Sequence, residues 1–216
     1  MLAYSGSMTT FSPISLNCPI CGSEFESNAV ASCSFASKRS DFRPNYWGAS
    51  PVEFFYHVCP SCGFCGTQPA FDLTIENSEF IADLENWEIS EIQTLSDKIE
   101  RAMTFWELLT KHGVIDDDAF DLANGWVRAY WWAPDKGKER EYALKALDYF
   151  DKASKQHLVP PEQRATIEYL RGEINRRIKR KEEANAYFDK AMKLTEKGSQ
   201  IHELAIRQKT APEDNI

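Results

Sequence analysis

The sequence predicts an α+β protein that is mostly α-helical, with a small β head followed by an array of helices. All six cysteines lie before residue 66. Near them, apolar residues alternate with a period of two, which is typical of strands. From about residue 77, apolar residues recur every three or four positions, which is typical of amphipathic helices. We therefore expect a flexible tail over residues 1–16, a head over 17–70 and a helical domain over 77–209.

Composition restricts the classes of function. The chain has 216 residues, 43% of them hydrophobic, and a formal net charge of −8. An acidic surface is poorly matched to phosphate backbones, so nucleic acid is an unlikely partner. The sequence has no apolar run of the roughly 20 residues that span a bilayer, so we expect no membrane insertion. The first residues lack the basic and apolar regions of a signal peptide, and we expect a cytoplasmic protein.

The head is predicted to contain short strands and tight turns. Val52 to Val58 alternates apolar side chains and predicts a strand. Before it lies a polar and aromatic stretch from Ser37 to Pro51.

The remainder is predicted to form helices with recognisable ends. Asn77 or Ser78 is a candidate N-cap for a first short helix, and Ser90 for a longer one that ends near Gly113. Acidic residues at 116–118 suit the start of a third helix, because free N–H groups point outward there. Further helices are predicted over about 140–156, 162–179, 182–197 and 199–209.

Two helical segments repeat one pattern. Ala146 to Lys155 and Ala184 to Lys193 are offset by 38 residues, and seven of their ten positions are identical. The Ala-x-x-x-Phe-x-x-Ala spacing resembles the second helix of a tetratricopeptide repeat. Gly172 falls where the first helix of that repeat has its small residue. A plain antiparallel bundle with the same amphipathic spacing is the alternative, and it would lack a concave groove.

Four cysteines form the clearest chemical motif. They occur in two Cys-Pro-x-Cys-Gly units, whose cysteines are Cys18, Cys21, Cys59 and Cys62. Two such turns supply the four sulfurs of a closed structural zinc site. The long gap between the units adds little loop entropy, because that cost grows logarithmically with length. The sequence predicts a zinc-ribbon-like head that binds Zn²⁺.

The alternatives at this site remain open. Iron suits four thiolates as well as zinc does. A thiol–disulfide pair would need a βαβ context, which the sequence does not predict. Cys33 and Cys65 could join the site, but we interpret both as small buried apolar residues.

Polar side chains outside the cysteine units give weaker signals. Arg39, Asp41 and Arg43 form a possible polar site, although mutual pairing that pins the insertion is the simpler interpretation. The basic run from Arg176 to Lys181 is interpreted as a solvated helix end, with a docking patch for an acidic partner as the alternative.

The head resembles a known family, domain-of-unknown-function family 2225. The similar segments are Arg39 to Pro44, Tyr46, Gly48 to Pro51 and Val58 to Phe64. Ser50 stands where that family usually has Asn, and Cys65 where it has a small residue. The resemblance implies paired cysteine units joined to tetratricopeptide-like helices, and it implies no activity.

The sequence contains none of the phosphate-binding, dinucleotide-binding, zinc-protease or nucleophile-elbow motifs. We assign no catalytic residue. The favoured hypothesis is a non-enzymatic interaction module whose helical repeat surface binds a protein or peptide. The alternatives are an iron- or zinc-dependent redox protein or other enzyme, and a nucleic-acid-binding zinc ribbon.

Overall fold

The α+β, mostly α fold class is confirmed by the computed structural model, which describes residues 9–85, 92, 94–116 and 118–216. The α-helices are α1 (Ser78–Glu85), α2 (Leu95–Lys111), α3 (Ala119–Trp131), α4 (Lys136–Lys155), α5 (Arg164–Arg177), α6 (Lys181–Lys193) and α7 (Gln200–Thr210). The strands are β1 (Thr10–Asn17), β2 (Glu24–Ser32), β3 (Phe35–Lys38), β4 (Pro44–Tyr46), β5 (His57–Val58) and β6 (Cys65–Gly66). The strands form three separate two-stranded sheets, β1–β2, β3–β4 and β5–β6.

Contacts divide the chain into two compact units with unexpected bounds. The first comprises Met1–Phe35 and Tyr46–Asp118, and the second Ala36–Asn45 and Ala119–Ile216. Helices α1 and α2 therefore belong to the unit with the cysteines, whereas the sequence predicted a helical domain from residue 77. The second unit includes a segment from between the two cysteine motifs. None of the described helices is long and apolar enough to cross a membrane.

The first unit begins with a β-ribbon where the sequence predicted a flexible tail. Strand β1 pairs antiparallel with β2, and Leu16 is opposite Phe25. The prediction was wrong for residues 10–16, and residues 1–8 lie outside the described part. The apolar alternation of Ile14 and Leu16 is a weak strand signal, because the segment also contains Pro13 and three serine or threonine residues. Leu16 is buried.

The segment Val52–Val58 is mainly not a strand, so that prediction was also wrong. Val52–Phe54 forms a 3-10 helix, and only His57–Val58 pairs in a sheet. Val52 and Tyr56 are both buried, although neither lies in a strand. Helix α2 packs on the 3-10 helix Val52–Phe54. Their burial therefore comes from tertiary packing, which produced the same apolar spacing as a half-buried strand.

The helix ends follow local capping rules. Asn77 Oδ1 accepts the N–H of Phe80 at 3.0 Å, as predicted for the start of α1. Thr94 and Asp97 form a capping box at the start of α2; the predicted cap Ser90 lies outside the described residues. Gly113 ends α2 with φ +66° and donates to Thr110 O.

In the second unit, helix α3 packs along α4, α5 packs along α6, and α7 packs on α6. The residues of both repeated motifs face the interior: Ala146, Phe150, Ala153, Ala184, Phe188 and Ala191 are all buried. Gly172 allows helices α5 and α6 to approach each other closely. A Cβ at this position would lie 2.5 Å from ring carbons of Phe188.

Candidate metal centre

The first cysteine unit is a tight turn closed by two backbone hydrogen bonds. Cys18 N–H donates to Ser23 O, and Gly22 N–H donates to Cys18 O, both at 2.9 Å. Gly22 has φ +71°, a left-handed conformation that other residues rarely adopt. The sequence Cys-Pro-x-Cys-Gly therefore fixes the turn locally.

The second unit repeats this geometry. Cys59 N–H donates to Phe64 O at 2.8 Å, and Gly63 N–H donates to Cys59 O at 3.0 Å. Gly63 has φ +72°. The two turns thus have the same backbone conformation despite being about 40 residues apart in the chain.

The two turns bring all four predicted sulfurs together. The distance from Cys18 Sγ to Cys62 Sγ is 3.4 Å, and from Cys21 Sγ to Cys59 Sγ 3.6 Å. All four lie within 4.8 Å of one another. A tetrahedral ion with metal–sulfur bonds of about 2.3 Å holds its sulfurs about 3.8 Å apart. The cluster therefore fits one metal ion with four thiolate ligands.

The surroundings set how readily each thiol ionises. Burial raises the pKa of the Cys18 thiol to about 11. The backbone N–H groups of Cys21 and Ile20 stabilise the thiolate and oppose this rise. Burial also raises the pKa of Cys62. Burial acts in the same direction on Cys21, but hydrogen bonds from Ser23 outweigh it and lower the pKa to about 6. A metal ion bound here would therefore displace protons from Cys18 and Cys62 near neutral pH.

The two remaining cysteines are outside the cluster. Cys65 is buried, its Sγ donates to Lys98 O at 3.3 Å, and burial raises its pKa to about 12. This confirms the interpretation of Cys65 as a small buried residue. Cys33 is exposed, so the same interpretation was wrong there; it lies at the open end of the β1–β2 ribbon, after strand β2 ends.

Arg39, Asp41 and Arg43 lie in the second unit. Arg39 forms a two-point ion pair with Asp41, whose side chain is fully buried. Arg43 donates to Trp131 O at 3.1 Å, and Trp131 Nε1 donates to Asp41 O at 3.2 Å. The structure therefore shows the mutual pairing that sequence analysis favoured, and it anchors the segment Ala36–Asn45 on the helices.

Asp41 gives the second unit a specific acid sensitivity. Burial alone would raise the pKa of its carboxyl, but the hydrogen bonds and charge of Arg39, with the charge of Arg177, hold that pKa below its usual value. Its contribution to stability is complete above the pKa of the unfolded chain, about 3.9, and is lost as pH falls through the lower folded value.

We expect Asp41→Asn to be less stable than the parent at neutral pH, because Arg39 and Arg177 lose their anion. As pH is lowered below about 4, the free energy of unfolding of Asp41→Asn should fall less steeply than that of the parent. Urea unfolding between pH 6 and 3 measures both effects. Arg39→Gln should flatten the same slope, and equal slopes in parent and Asp41→Asn would contradict this assignment.

The residues that complete this polar network were not predicted from the sequence. Ser40 is fully buried, and its Oγ donates to Glu173 at 2.5 Å and accepts from Arg177 at 2.8 Å. Arg176 also pairs with Glu173, at 2.8 Å. The interpretation of the basic run as solvated was therefore wrong for Arg176 and Arg177. Ser40 and Glu173 are 133 positions apart, and no local pattern signals such a pair.

Fold and site together define a class: an α+β protein with a small β region, helical hairpins and a four-cysteine cluster that could hold a metal ion. The model of a family described as "Uncharacterized protein conserved in bacteria (DUF2225)" matches residues 12–211, and the chain belongs to this family. No curated protein and no solved structure matched the chain.

Proposed function

We propose that the protein is a non-enzymatic interaction module whose first unit is stabilised by Zn²⁺. The convergence of four cysteine sulfurs carries this proposal. Four thiolates complete a tetrahedral shell and leave no coordination position for a substrate, as in structural zinc sites. Zinc would then supply folding free energy, with Cys18, Cys21, Cys59 and Cys62 as its ligands.

Iron is the second candidate metal, because backbone N–H groups that point at the sulfurs suit either ion. The N–H groups of Ile20 and Cys21 act on Cys18, and that of Phe64 acts on Cys62. An iron-loaded protein would absorb visible light and support the redox alternative, whereas a zinc protein is colourless.

The helical unit offers a surface for a protein or peptide partner. Leu158 and Leu194 are large apolar side chains that are 36% and 54% exposed. Leu194 lines a cavity of about 370 Å³ whose walls include Val159 and the cations Arg164, Lys190 and Lys193. An apolar depression with a charged rim is typical of a protein-binding surface.

We expect a photo-crosslinking residue at Leu194 to give one discrete adduct in the native host, and the same residue at Leu144 to give none. Leu144 is the matched control, because it is 39% exposed on the same unit and does not line the cavity. Val159→Ala, which removes apolar atoms from the cavity wall, should reduce the adduct about fivefold, as expected for loss of an apolar contact. Equal labelling at both positions, or no adduct in zinc-loaded protein, would contradict the proposed role of this surface.

A further inference from the structure

An extended segment of residues 212–216, here termed the strap, lies against the edge of the segment that contains β3. Ser40 N–H donates to Asp214 O, and Ile216 N–H donates to Lys38 O, both at 3.0 Å. Arg39 and Asn215 form an antiparallel bridge. The strap therefore adds to this edge in the manner of a β-strand.

A buried glutamine binds the strap's main chain. Gln208 is 3% exposed, its Nε2 donates to Glu213 O at 2.9 Å, and its Oε1 accepts the N–H of Glu213 at 3.2 Å. The side-chain amide thus pairs with both backbone polar groups of one residue, Glu213. This arrangement is independent of the strap's side chains and accepts any extended backbone in that position.

Three arginines bind the acidic side chains of the strap. Arg176 and Arg177 each lie 3.2 Å from Asp214 Oδ1, and Arg207 lies 3.4 Å from Glu213 Oε2. Arg177 also donates to Asp214 O at 3.2 Å. The site therefore selects two consecutive carboxylates on an extended chain.

Two observations indicate that the strap is an exchangeable occupant. The Asp214 side chain is 72% exposed and that of Glu213 is 59% exposed, and exposed ion pairs contribute little to stability. The groove residues Lys38, Ser40, Arg176, Arg177, Arg207 and Gln208 all fall within the range matched by the family model, whereas the strap follows that range.

We propose that this groove is a binding site for an extended acidic segment of a partner protein that carries two consecutive carboxylates, and that the strap competes for it. The inference rests on the proposed function for the existence of a partner. The tethered strap would have an effective concentration on the order of 1 mM. For a peptide that binds with a Kd of about 100 μM, that competitor weakens apparent affinity about tenfold.

The test uses the full chain and a fluorescent peptide with the sequence of residues 210–216, TAPEDNI. In the full-length double variant Glu213→Lys/Asp214→Lys, whose strap the arginines should repel, we expect the peptide to bind about tenfold more tightly than to the parent. A peptide with Gln and Asn in place of the two acids should bind at least about tenfold more weakly. Arg207→Gln in the double variant should also weaken binding, while Arg128→Gln, which changes an exposed cation of α3 outside the groove, should not.

Binding to the parent and the double variant with equal affinity, equal binding of the neutral peptide, or no binding to the double variant would overturn the proposal. A second measurement on the unmodified chain guards against misfolding of the variants: excess peptide should speed hydrogen exchange at Ile216 and leave Ser40 protected. If the peptide does not bind the groove but the crosslink at Leu194 is still formed, the proposed interaction module is supported and this second site is rejected.

Discussion

Cys59→Ser is expected to release the metal and unfold the first unit, whereas the parent protein should hold one zinc ion and show no visible absorption band. Cys59 is 1% exposed, and its N–H bonds to Phe64 O. The Phe64 ring contacts Phe71 and Phe105, with centroids 5.2 and 5.1 Å apart. The second cysteine turn therefore holds a central aromatic residue in place.

The expected effect is large because binding and folding are coupled. Structural zinc contributes about 10–16 kcal/mol in small domains, whereas whole domains have a stability of only about 5–15 kcal/mol. Losing one of four ligands should thus leave the unit without a stable fold. We expect loss of bound zinc by elemental analysis, loss of near-ultraviolet circular dichroism and rapid proteolysis within residues 9–85.

Cys33→Ser is the matched control, because Cys33 is exposed and outside the cluster. It should keep one zinc ion and the parent's proteolysis pattern. Helix α3 and the later helices should stay protected from protease in Cys59→Ser. A Cys59→Ser protein that retains stoichiometric metal and its aromatic dichroism would contradict the ligand assignment, and an iron-containing parent would favour the redox alternative.

The two turns that carry the clustered cysteines could be predicted because their determinants are local. Each turn is fixed by five consecutive residues, and the glycine at its end has the positive φ that the motif requires. Most helices were predictable for a similar reason, since periodicity and caps such as Asn77 operate within one or two turns.

Two of the errors have the same physical cause, which is contact with distant parts of the chain. Val52 and Tyr56 are buried outside any strand, and the 3-10 helix Val52–Phe54 packs against β2 and α2, so the apolar spacing was misleading. Ser40 finds Glu173 at a separation of 133 residues. Residues 36–45 belong to the helical unit through long-range contacts of this kind and through packing of Phe42 on Tyr169. Single-sequence patterns contain no information on them.

Phe188→Ala is expected to lower the free energy of unfolding of the second unit by about 3–5 kcal/mol, the range for truncating a buried phenylalanine. Phe188 is 1% exposed and belongs to a cluster with Tyr169, Ala184, Ala191, Leu204 and Ala205. Its ring centroid is 5.7 Å from that of Tyr169. The cavity would open between α5, α6 and α7, and urea unfolding monitored by helical dichroism measures the loss.

Gly172 makes the prediction more specific. An alanine there would gain about 1 kcal/mol of helix propensity, but its Cβ would lie 2.5 Å from two Phe188 ring carbons. Overpacking of this kind costs about 1–3 kcal/mol, so Gly172→Ala should destabilise the parent. In a Phe188→Leu background the ring is absent, and the same change should become neutral or stabilising.

Phe150→Leu provides the control background, because Phe150 is the corresponding residue of the other repeated motif and is equally buried. In the Phe150→Leu background, Gly172→Ala should remain destabilising. The atoms that a Cβ at position 172 would meet belong to the Phe188 ring, which is still present. A sign change in the Phe188→Leu background only would show that glycine and phenylalanine are coupled across α5 and α6. The absence of that difference would contradict the close approach of α5 and α6 at Gly172.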